Sequence, residues 1–194
     1  MGRRPDPERK TELLRAIVDE LARGGLGDMS LRPLAAALGV STYTLSYQFG
    51  SKESLLAQAL AHVEAEQAAL VREWAEEEGA DAAFVVGRYW EWVRVPEHLA
   101  RVRLTLEAIA MPRTFEWLAP DFRRRLMAAW AQELTAGLRR AGVARPRAEA
   151  EATLAASALA GMVLDLLATG EQARLDSAAR ALVERLDELI ARGR

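Results

Sequence analysis

Apolar side chains recur at every third or fourth position through nearly the whole chain, and no segment shows sustained alternation of apolar with polar residues. The first pattern marks one face of a helix and the second a half-buried strand, so the chain is read as all-α. Proline and glycine punctuate the helices. Asp6-Pro7 opens the first, with Asp in the capping place and Pro at the first helical position, and Gly24-Gly25 ends it. Ser30 caps a short helix through Leu38, Ser41 caps a second ending near Phe49, and Ser51 opens a long one reaching about Gly79. Further helices are expected at about 82–94, 96–110, 120–141, 146–169 and 175–192, about nine in all.

The two short helices are the most informative elements. Helices below about 12 residues are marginal in water, so these must pack on each other and on the first helix. Leu34, Ala35 and Leu38 on one, and Val40, Leu45 and Phe49 on the next, supply the contact, while Gly39 permits a sharp left-handed turn. That is a helix-turn-helix, whose second helix lies in the major groove of DNA. Its outward residues, Thr42, Tyr43, Thr44, Ser46, Tyr47 and Gln48, are uncharged donors and acceptors suited to base edges and phosphate oxygens. A merely solvated face usually carries Lys and Glu, and this stretch carries neither.

This segment resembles the tetracycline-repressor (TetR) family. The family pattern joins a Thr or Ser cap, an Ile/Leu-Ala pair, Gly-Val-Ser, a Leu inside the recognition helix and a closing Phe-x-Ser-Lys-Glu-x-Leu. Here stand Ser30, Leu34-Ala35, Gly39-Val40-Ser41, Leu45 and Phe49-Gly50-Ser51-Lys52-Glu53-Ser54-Leu55, in the same order and near the N-terminus. The likeness is close over about residues 8–60. Beyond that it rests on length, helix count and a C-terminal helix pair. The resemblance implies a three-helix helix-turn-helix DNA-binding domain at 1–52 and a helical ligand-sensing and dimerisation domain at 53–194. It also implies a sequence-specific transcriptional regulator: a homodimeric repressor released from a palindromic operator in double-stranded DNA by a small lipophilic or aromatic effector.

Carried over position by position, the resemblance makes Ser30 and Lys52 phosphate contacts, the latter at a helix start whose dipole also favours an anion. Thr42, Tyr43 and Tyr47 face the bases, and Arg32, Ser41, Thr44 and Ser46 complete the DNA face. Two positions depart from the family. It usually has a small residue where Tyr43 stands and a phosphate-binding Tyr where Ser46 stands. Either the aromatics have exchanged places, or the chain is a helical ligand-binding or interaction protein whose helix-turn-helix no longer reads DNA.

The C-terminal body suggests two more sites. Ala179, Leu182, Leu186 and Leu189 form a seam on the last helix, and residues 155–164 before it are apolar almost all round and rich in small side chains. Such a helix has to be covered on more than one side. Leu159, Met162 and Val163, with Leu182, Leu186 and Leu189, are therefore expected at a four-helix interface with a second copy. Five Trp stand against three Tyr and four Phe, and Trp90, Trp117 and Trp130, with Met111, are expected to line a pocket; Glu107 either orients a polar ligand group there or sits on a solvated stripe with its stem packed. Core packing is the commoner role for any single Trp.

Charge bounds the remaining choices. Lys and Arg number 26 against 28 Asp and Glu, a net charge of −2, which disfavours a nucleic-acid coat or wholesale binding to an anionic membrane. Arg3, Arg4, Arg9 and Lys10 either form an arm reaching phosphates or the minor groove, or a solvated terminus. There is no Cys, and His62 and His98 have no partner at ligand spacing; no Gly-rich phosphate loop is present. No metal, no cofactor and no enzymatic activity are expected. No apolar run approaches the eighteen or so residues of a membrane helix, and Met1-Gly2-Arg3-Arg4 lacks the apolar stretch of a signal peptide, so a soluble, cytoplasmic protein without a membrane partner is expected.

Overall fold

The computed structural model describes residues 7–27, 29–110, 116–118 and 120–193. Among these, nine helices follow one another: α1 Pro7–Gly24, α2 Leu31–Ala37, α3 Thr42–Phe49, α4 Lys52–Glu76, α5 Ala82–Val93, α6 Pro96–Ala110, α7 Pro120–Arg140, α8 Arg145–Thr169 and α9 Gln172–Gly193. Proline opens α1, α6 and α7, where a missing backbone donor costs nothing because first-turn amides have no helical partner. α9 starts at Gln172 rather than near 175, since Gly170 (φ 68°) closes α8 and the chain re-enters helix at once. Asp6, Arg3 and Arg4 lie outside the described residues.

The chain divides into two compact units, residues 1–65 with 100–120, and residues 66–99 with 121–194. The division falls inside α4, and the first unit takes in most of α6. That unit's core joins Ile17 and Val18 of α1, Leu34 of α2, Leu45 and Phe49 of α3, and Leu55 and Leu56 of α4, all essentially inaccessible to water. Leu104 and Ala108 of α6 are equally buried.

Polar ties hold α6 to the end of α1. Arg101 Nη2 meets Asp19 Oδ1 at 2.5 Å, and Arg103 Nη2 donates to the Ala22 carbonyl at 2.8 Å. The Leu26 amide donates to Glu107 Oε2 at 2.9 Å, and Glu107 also pairs with Arg103 at 3.3 Å. These bonds occupy backbone groups that a helix end leaves without partners.

In the second unit α9 packs along α5 and α8. Val85, Val86, Tyr89, Trp90 and Val93 of α5 meet Leu175, Ala179, Leu186 and Ile190 of α9 in a core that also takes Leu134 and Leu138 of α7. A Cβ on Gly137 would stand 3.2 Å from the Ala82 nitrogen, so glycine lets α7 approach the start of α5. Glu151 of α8, 7% exposed, accepts from Arg185 of α9 at 3.0–3.2 Å and pairs with Arg147 at 2.9 Å. At the far end of α8, Asp165 receives Arg174 at 2.7 and 3.0 Å, and the guanidinium holds its carboxyl below the usual carboxylate range.

By length and composition α8 is apolar enough to cross a membrane, although Thr153, Ser157 and Gly161 break its apolar runs. Core helices pass the same test, but this one is only partly covered: 39% of its most apolar stretch is buried within the chain. Its outward side carries Leu154 and Leu164, 49% and 59% exposed.

Candidate nucleic-acid interface

Local sequence builds the turn between α2 and α3 with little freedom. Ser30 precedes α2 in extended conformation. At the other end Gly39 takes φ 65°, a left-handed backbone that suits a residue without Cβ. Its amide bonds to Ala36 O at 3.2 Å and that of Val40 to Ala35 O at 3.0 Å, the paired closure that ends a helix and redirects the chain. Ser41 then caps α3: its Oγ accepts the Thr44 amide at 3.0 Å and lies 2.9 Å from the Thr44 hydroxyl. Leu45 and Phe49 fasten the helix inward.

Beyond α3, the Gly50 amide bonds to Ser46 O at 2.9 Å, and Ser51 Oγ accepts the Ser54 amide at 3.2 Å as α4 begins. Gln58 of α4 reaches back and donates to the Phe49 carbonyl at 3.2 Å. Sequence reading passed over Gln58, which stands four residues beyond Ser54 on the same helix face. Lys10 of α1 places its ammonium 5.3 Å from the Phe49 ring centroid. A helical cation–π position thus replaces the open choice of arm or solvated terminus for this residue.

The nine residues expected at DNA separate by role. Thr42, Tyr43, Ser46 and Tyr47 are exposed on α3, Arg32 is exposed on α2 and Ser30 just before it, and Lys52 is half-buried as the first residue of α4. The hydroxyls of Ser41 and Thr44 bond to each other at the cap. Tyr43 and Tyr47 are 75% and 58% exposed, and their rings stack with centroids 6.1 Å apart and planes 22° from parallel. No acidic or basic side chain lies on α3.

The residues expected to form a ligand pocket are divided between the two units. Glu107 is committed to Leu26 and Arg103 and, like Trp117, belongs to the first unit, while Met111 lies outside the described residues. Trp90 is 3% exposed and its Nε1 donates to Asp176 Oδ1 at 2.7 Å, so its polar edge is already satisfied. Asp176 also receives Arg94 at 3.2 Å. Beside these lies an open groove of about 400 Å³ between α5 and α9. Trp130 stands edge-on to Tyr89 at 4.3 Å, and Tyr89 leads through Trp92 at 5.8 Å to Trp74 and to a stacked His98. Burial pushes the Tyr89 hydroxyl pKa up.

The residues expected at a dimer interface differ in burial. Leu159, Val163 and Leu186 are 3%, 1% and 1% exposed within a single chain. Their side chains are buried in the core of the second unit. Met162, Leu182 and Leu189 are half-buried.

This geometry defines a class: a helix-turn-helix protein whose second helix is uncharged, capped by Ser41 and exposed on its outer side. The sequence pattern of the bacterial regulatory proteins of the tetR family matches residues 13–59, from α1 into α4. A TetR-family transcriptional regulator from Agrobacterium tumefaciens shares the fold with a TM-score of 0.72 at 23% identity, over 93% of this chain and 98% of that one. A TetR transcriptional regulator from Legionella pneumophila does so with a TM-score of 0.74 at 14% identity, over 95% and 98%. The multidrug binding protein EbrR, complexed with imidazole, follows with a TM-score of 0.66 at 21% identity, over 94% and 93%. No curated protein matches the chain. Residues 13–59 thus carry the tetR-family DNA-binding pattern and the chain has the fold of that family's regulators; it is a DNA-binding transcriptional regulator. Members of this family bind DNA and typically act as dimers with small-molecule effectors.

Proposed function

We propose that the chain is a homodimeric, cytoplasmic repressor that leaves a palindromic operator when a small aromatic or lipophilic effector binds its second unit. The observation that carries this reading is α3, whose Thr42, Tyr43, Ser46 and Tyr47 are exposed while its cap and core contacts fix its orientation. Dimerisation is supported by α8, whose outward stripe of Leu154, Ser157, Gly161, Leu164 and Ala168 is exposed in a single chain. A second copy seated there would convert an exposed apolar stripe into a four-helix interface.

An effector site is supported by the aromatic series Trp74, Trp92, Tyr89 and Trp130, which gives a flat ligand rings to stack on. Release then requires only that the effector bind the form unable to span the operator better than the DNA-competent form. A hundredfold loss of operator affinity corresponds to about 2.7 kcal/mol of such preference. The test is a tryptophan-fluorescence screen of aromatic and lipophilic compounds, with each hit titrated in the presence and absence of operator. Operator should weaken effector binding by the same factor as effector weakens operator binding. Hits that quench the tryptophans and leave operator affinity unchanged would contradict the sensor reading.

A further inference from the structure

The stacked tyrosines of α3 have no role in the fold. Leu45 and Phe49 bury the inner side of this helix at 0% and 2% exposure, whereas Tyr43 and Tyr47 keep 75% and 58% of their surface in water. They stand four residues apart, on one face, and stack on each other with planes 22° from parallel. Two large rings held together outside the core form a preordered apolar surface that awaits a partner.

The position of that surface selects the partner. In the major groove a helix meets the donors and acceptors of the base edges and a single apolar group, the C5-methyl of thymine. Guanine is read most often by Arg or Lys, and α3 carries neither. What α3 offers instead is two ring faces, the hydroxyls of Thr42 and Ser46 beside them, and the amide of Gln48. That set matches A·T pairs: rings on thymine methyls, an amide for adenine.

We propose that Tyr43 and Tyr47 act as one unit that reads thymine methyl groups in each half-site, so that the chain selects A·T pairs under α3. This rests on the DNA-binding reading above and adds to it the determinant of specificity. The two tyrosines work by contact area rather than by hydrogen bonding, and their hydroxyls are secondary.

The experiment starts from an operator selected from random duplexes with the full-length protein. Each thymine under α3 is then replaced by uracil, which removes the methyl and leaves every hydrogen-bonding group in place. Affinity of the unaltered protein should fall about four-fold for each contacted methyl, and on the order of ten-fold when both half-sites are changed. Tyr43→Ala and Tyr47→Ala should bind thymine and uracil operators alike, with helicity by circular dichroism unchanged because neither ring is in the core. Tyr43→Phe and Tyr47→Phe should keep the discrimination. Equal binding of both operators by the unaltered protein, or a selected operator without thymine at these positions, would overturn the inference and leave DNA binding standing. A selection that enriches no sequence would overturn the DNA-binding reading itself.

Discussion

The hydroxyl-bearing residues of the helix-turn-helix divide into two sets that composition alone does not separate. Ser41 and Thr44 bond to each other and to a backbone amide at the cap, while Thr42 and Ser46 face outward. Lys52 stands apart as the cation at the start of α4, where the free amides of a helix N-terminus add to its attraction for phosphate. A phosphate contact is indifferent to sequence, so Lys52→Ala should weaken binding to all duplexes alike. It should lower the slope of log K against log salt by about 0.9 per contact, hence by about 1.8 in a two-fold complex. Anisotropy titrations over a range of salt check this, and an unchanged slope would remove Lys52 from the interface. Glu107 teaches the opposite lesson. A carboxylate on an apolar helix suggested a ligand anchor, yet it serves the Leu26 amide 81 positions away in sequence, a pairing no local pattern reveals.

Among the elements, α3 depends most on a single side chain. Its eight residues hold helical form through the Ser41 cap and two buried anchors. Ser41→Ala should cost about 1 kcal/mol of folding stability, read by urea denaturation, and should weaken operator binding by loosening the helix. Ser46→Ala should leave stability unchanged and lower operator affinity alone. If the two variants behave identically, the division between capping and reading residues is wrong.

Helix positions were legible in the sequence because Pro and Gly mark most of them, and the turn between α2 and α3 because Gly39 and Ser41 have few other uses. The sides of α8 were not. Its two faces are both apolar, so periodicity could not tell Leu159 and Val163, which are buried, from Leu154 and Leu164, which are not. The membership of α6 in the first unit was hidden for another reason: it rests on contacts between segments about eighty residues apart, Arg101 with Asp19 and Arg103 with Ala22.

For the whole molecule, the proposed dimer joins two copies through α8 and sets two α3 helices on one face of DNA. Leu154→Glu combined with Leu164→Glu places charge on the exposed stripe and spares the core, so the variant should sediment as a monomer with unchanged helicity. A double variant that remains a dimer would move the interface elsewhere. Loss of the dimer should also abolish tight operator binding, because one α3 alone engages a single half-site. Reading of DNA by α3 from a two-fold assembly is tested by selection from random duplexes with the purified protein. The predicted product is an inverted repeat whose half-sites lie one helical turn, about 34–36 Å, or a multiple of it apart. Recovery of sequences no different from the starting pool would contradict it.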